Sequence, residues 1–73
     1  MDISVLKKKI EDGLPGAHVF VEGDGRHMHA IVEYEGFKGK SMVEQHRMVF
    51  AVLEKELATE ELHALALKTK IPA

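Results

Sequence analysis

Five histidines and no cysteine in 73 residues define the chemistry open to this chain. Imidazole is a borderline-soft metal ligand and the side chain that titrates nearest neutral pH. Without a thiolate the chain cannot by itself build a disulfide, a thiol nucleophile or an all-cysteine metal cage. Metal chemistry must run through imidazole and oxygen ligands, or be shared with another molecule. The histidines are His18, His27, His29, His46 and His63. His27 and His29 stand two apart, which puts them on the same face of a strand.

Other constellations fall short. Gly39-Lys40-Ser41 ahead of a helix has the end of a P-loop, but the upstream glycine would fall at Tyr34. Gly36-Phe37-Lys38-Gly39 has the GxxG spacing of a KH loop, yet it joins a strand to a helix rather than two helices. Gly23-Asp24-Gly25 lacks the recurring acids of a calcium loop and reads as a turn. Ser4, Ser41, Thr59, Thr69 and Tyr34 supply hydroxyls, but nothing places a base and an orienting acid around them, and Glu60-Glu61 is a solvated run. The isolated chain is expected not to be an enzyme.

The elements that must position these residues follow from periodicity. Asp2 caps a first helix over residues 2–12, with Ile3, Leu6 and Ile10 at helical spacing, and Gly13-Leu14-Pro15-Gly16 ends it. A strand over 17–22 puts Val19 and Val21 on one face and His18, Phe20 and Glu22 on the other. Gly23-Asp24-Gly25-Arg26 turns the chain into a second strand over 27–34, where Met28, Ala30, Val32 and Tyr34 alternate with His27, His29, Ile31 and Glu33. These runs predict an antiparallel hairpin. Ser41 with Glu44 is a capping box, and the helix it opens is expected to reach Leu57. Its apolar stripe reads Met42, Val49, Phe50, Leu53 and Leu57, with His46 on or beside it. Thr59 caps a short helical turn through Leu62. Residues 63–69 alternate as a third strand, and Pro72 ends regular structure. The order α-β-β-α-(α)-β predicts an α+β fold, a three-stranded mixed sheet with helices on one face.

Composition agrees with one small domain. The chain is 45% apolar and 30% charged, and its formal charge of −2 argues against a generic phosphate-backbone binder. No apolar run approaches the roughly 20 residues of a membrane span, and no signal peptide opens the chain. A soluble, cytoplasmic protein is expected, or an organellar one if the source is a eukaryote.

The segment from Phe37 to Val49, FKGKSMVEQHRMV, resembles the signature of BolA-like proteins, phenylalanine-x-glycine-lysine followed by an x-His-Arg-x-Val helix. Val21 to His27 is similar to the family's first hairpin, and Leu62-His63-Ala64-Leu65 with Lys68-Thr69 to its last strand. The resemblance covers nearly the whole chain in order. It implies a single BolA-like domain over 1–73 with an arrangement like that of class II KH domains. Members usually continue beyond the proline into a further helix, whereas this sequence stops at Ala73.

The resemblance also implies function. BolA-like proteins pair with monothiol glutaredoxins around a shared [2Fe–2S] cluster in iron–sulfur trafficking or iron regulation. The BolA ligands are a histidine at the start of the last strand and a histidine or cysteine in the hairpin. On this chain these positions are His63 and His27, with His29 the rival for the second. The remaining sulfur ligands would come from the glutaredoxin and its glutathione, and the chain alone would be a monomer without cofactor. His46 is expected to make a structural hydrogen bond, and His18 to be an ordinary surface residue. Some members act as DNA-binding transcriptional regulators of cell shape and stress response. Lys38, Lys40, Arg47, Lys68 and Lys70 would then form a basic patch, although Arg47 is expected rather to pair with a glutamate. An adaptor that binds glutaredoxin without a cluster is a third possibility.

Overall fold

A computed structural model describes residues 1–24, 27–62 and 64–73. Helix α1 spans Ile3–Gly13, and Asp2 accepts from the Ser4 amide to cap it. Its side chains Leu6 and Ile10 are fully buried, as the i, i+4 spacing requires. Strand β1 (His18–Gly23) pairs antiparallel with β2 (His27–Glu33), and β2 pairs parallel with β3 (Ala64–Lys70). The sheet order is β1-β2-β3, so β2 is central and its backbone is bonded on both sides. Val19, Met28, Ala30, Val32 and Thr69 point into the core, while the alternate residues of all three strands face away from it. The predicted mixed sheet and antiparallel hairpin are as observed.

Helix α2 spans Met42–Val52 behind the predicted Ser41–Glu44 capping box. The predicted helix to Leu57 is broken at Leu53, whose amide bonds the Phe50 carbonyl i−3 away. A short helix α3 (Glu54–Ala58) then begins. No proline or glycine marks the break. It brings Glu56, only 3% exposed, against α1, where Lys9 Nζ lies 3.0 Å from Glu56 Oε2. Thr59 does not open a helical turn through Leu62. It closes α3 instead, its hydroxyl donating to the Lys55 carbonyl.

The inner face of α2 also differs from the predicted stripe. Val49 and Leu53 are buried, but Met42 is 61% exposed, and Gln45 faces inward. Gln45 is satisfied twice: Thr69 Oγ1 donates to its Oε1 at 2.7 Å, and its Nε2 donates to the Lys40 carbonyl at 2.9 Å. A buried polar side chain is tolerable here because each polar atom has a partner. The connection before α2 is a 3-10 turn, η1 (Glu35–Phe37), and it buries Phe37 completely, edge-on to Tyr34.

Candidate functional site

Both helical layers cover one face of the sheet, leaving the other face open. Register arranges that open face in rows: His18, Glu33 and Lys70 at one end; then Phe20, Ile31 and Lys68; then Glu22, His29 and Ala66; and finally His27 with Ala64. A shallow cleft of about 270 Å³ at the first end is lined by His18, Phe20, Ile31, Glu33 and Lys70. His18 is therefore separated from the other open-face histidines by most of the length of β2.

The opposite end is built by the hairpin. Gly23 takes φ 141°, and a Cβ there would run into the His27 carbonyl oxygen, so only glycine lets β1 close this tightly onto β2. Asp24 Oδ1 accepts from the His27 amide at 2.9 Å, which fastens the start of β2. His27 Nδ1 lies 3.9 Å from Asp24 Oδ2, and its side chain is 81% exposed. His29 Nδ1 lies 3.2 Å from Glu22 Oε1 on the adjacent strand, and its side chain is 44% exposed. Glu22 is within hydrogen-bond distance of the His29 ring, whereas Asp24 lies beside the His27 ring at ion-pair distance.

Across β3, the register partners of His27 and His29 are Ala64 and Ala66, both small and exposed. Among the described residues, small side chains therefore stand beside the two imidazoles on that side. The His63 assignment lies outside the described residues, as do Gly25 and Arg26 of the turn. Its chain neighbour Ala64 is the Cα partner of His27. Among the described residues no cluster of three or more His, Asp or Glu could hold a metal ion. The described donors at this sheet end are two accessible imidazoles without a thiolate, a set that could supply nitrogen ligands but would need others to complete a metal's shell.

The other sequence candidates scatter. The buried Nε2 of His46 has no hydrogen-bond partner among the described residues, so this nitrogen does not make the bond expected of it. Arg47 is exposed and makes no ion pair among the described residues, contrary to its expected glutamate pairing. Glu44, one turn earlier, is instead held below the usual carboxylate range, first by the Ser41 amide and hydroxyl, with Lys40 and Arg47 adding a smaller attraction. Within the proposed basic patch, Lys38 Nζ lies 3.5 Å from Glu35 and Lys70 Nζ 3.6 Å from Glu33. Both lysines are thus partly neutralised, and the patch carries mixed charge. Glu22 and Asp24 are the residues that sequence reading missed, although the hairpin register, counted outward from the turn, places Glu22 beside His29.

A family profile described as BolA-like protein matches residues 4–73. The chain belongs to the BolA-like family. This BolA-like chain is 30% identical over 73 residues to the acid stress protein IbaG of Escherichia coli K12, covering all of the chain and 87% of that protein. A bolA protein homologue from Coxiella burnetii superposes with TM-score 0.88 at 36% identity, covering 99% of this chain and 92% of the other. The BolA domain of SufE1 from Arabidopsis thaliana superposes with TM-score 0.81 at 28% identity, covering 94% and 89%. Among the described residues, no helix of this BolA-like domain is long and apolar enough to cross a membrane.

Proposed function

We propose that this BolA-like domain pairs with a monothiol glutaredoxin to hold a shared [2Fe–2S] cluster, with His63 and His27 as its ligands. One observation carries the reading: His27, the more exposed hairpin histidine, is register partner of the residue that follows His63. That pairing of His27 with Ala64 supports the reading, because Ala64 opens the strand at whose start the family resemblance puts its histidine ligand. His29 stands one row further in and is the less exposed of the two, which favours His27 over its rival. Family membership, including likeness to the BolA domain of SufE1, supports an iron–sulfur-related role, and likeness to an acid stress protein supports a stress-linked setting.

Imidazole in place of thiolate at one iron raises the reduction potential of such a cluster. A ligand that protonation can detach also suits a cluster that is handed on. The test is reconstitution with a monothiol glutaredoxin and glutathione, comparing wild type with His63→Ala and His27→Ala by visible absorption and circular dichroism. Both variants should lose the spectrum of the mixed complex. Wild-type spectra in both would refute the assignment, and loss with His29→Ala but not His27→Ala would transfer the second ligand to His29.

A further inference from the structure

From the geometry of the open face we infer a second metal-binding capacity: His27 and His29 together chelate one divalent transition-metal ion of the zinc, nickel or copper class through their Nε2 atoms. This site needs neither glutaredoxin nor His63 and shares only His27 with the cluster reading. Two residues apart on a strand, the histidine Cα atoms are separated by about 6.6 Å. Both side chains leave the same face. Two imidazoles so placed can converge on an ion about 2.0–2.1 Å from each nitrogen.

Three features prepare the pair. Each Nδ1 faces a carboxylate oxygen, Glu22 for His29 at 3.2 Å and Asp24 for His27 at 3.9 Å. A carboxylate bonded at Nδ1, as Glu22 is for His29, favours the tautomer whose Nε2 is free for a metal. The central position of β2, bonded on both sides, holds the two backbones rigid relative to each other. The exposed methyls of Ala64 and Ala66 flank the pair without blocking it, leaving room for water to complete the coordination shell. Hard ions such as magnesium and calcium prefer all-oxygen ligands and should be ignored, whereas imidazole suits zinc, nickel and copper.

The experiment titrates the isolated full chain with Zn²⁺ or Ni²⁺ by calorimetry, with nitrogen-resolved NMR of the imidazoles as a second readout. Wild type should take up one equivalent, with the Nε2 resonances of His27 and His29 shifting together and Mg²⁺ giving no heat. His29→Ala and His27→Ala should each abolish saturable uptake. Glu22→Gln should weaken it about 10–100-fold, the usual effect of losing a carboxylate behind a ligating histidine. His63→Ala should bind as wild type does. Uptake that survives His29→Ala, depends on His63, or fails to saturate in wild type would overturn the inference. Because His29→Ala should spare the glutaredoxin-bound cluster spectrum, failure of this site and failure of the cluster reading are distinguishable.

Discussion

The Gln45–Thr69 bond is a decisive stability test, because it is a buried side-chain link between α2 and β3. Thr69 is 7% exposed and Gln45 8%, and the 2.7 Å separation is that of a strong O–H···O bond. The hydroxyl's other neighbour, Met42 Sδ at 4.0 Å, is a weak acceptor at the limit of contact. Thr69→Val keeps the side-chain shape and removes the donor, leaving Gln45 Oε1 buried and unpaired. An orphaned buried acceptor costs about 1–3 kcal/mol. For a domain this small, whose core supplies on the order of 3–5 kcal/mol, that is a large fraction of its stability. With a urea m-value near ~1 kcal/mol/M, the midpoint should fall by about 1–3 M. Gln45→Met removes the acceptor, and the Lys40 carbonyl it releases belongs to an exposed residue that water can reach. In the double variant both members are apolar, so its cost should be less than the sum of the two single costs by about 1 kcal/mol or more. Urea unfolding of all four proteins measures this cycle. Additivity within about 0.3 kcal/mol would refute the bond as an energetic link. Since Thr69 lies on the helix-covered face, the folded variant should still take up Ni²⁺ as wild type does.

Two further predictions concern the helices. Hydrogen bonding from Lys9 holds the Glu56 carboxyl below the usual carboxylate range; its contribution is therefore complete above the unfolded-state pKa of about 4.3 and is lost as pH falls through the lower folded value. Urea midpoints across this range should show wild type and Glu56→Gln converging at low pH, and a pH-independent gap would contradict that linkage. A Cβ at Gly13 would stand 2.5 Å from Val52 Cγ1, so Gly13→Ala should destabilise by overpacking, about 1–3 kcal/mol, despite a gain in helix propensity of about 1 kcal/mol. Adding Val52→Ala should recover much of the loss in thermal denaturation; no recovery would point away from that contact.

How much was legible follows from the kind of signal each element carries. The hairpin could be read because alternation over β1 and β2 and the glycine-rich turn agree, and that agreement also placed His27 and His29 on one face. The capping box was legible because Ser41 and Glu44 act locally. Phe37 was not recognised as core, since a single aromatic in a glycine-flanked turn has no period to reveal it. Gln45 is hidden for the opposite reason: the inward position of an otherwise apolar stripe is taken by a polar residue whose partners stand 5 and 24 residues away. The break at Leu53 leaves no glycine or proline in the sequence, and its visible consequence is the long-range Lys9–Glu56 pair. Glu22 meets His29 only through cross-strand register, so no motif marks it, whereas Asp24 acts three residues from His27 inside the turn the sequence shows.

That register explains how so small a domain can hold chemistry and a core on the same strand. Met28, Ala30 and Val32 occupy the inward positions of β2 and are 3% exposed or less. His27 and His29 occupy the outward positions, where they contribute little to packing and are free to serve a ligand. A strand at a sheet edge could present the same alternation, but with one side of its backbone unpaired. In β2 the amides and carbonyls are engaged by β1 and β3 alike, so the imidazoles project from the most constrained backbone in the domain. Preorganisation of this kind lowers the ordering cost of binding. It also means that histidine-to-alanine variants remove ligands from a surface, not support from a core, and loss of metal uptake by folded variants can be attributed to the missing nitrogen.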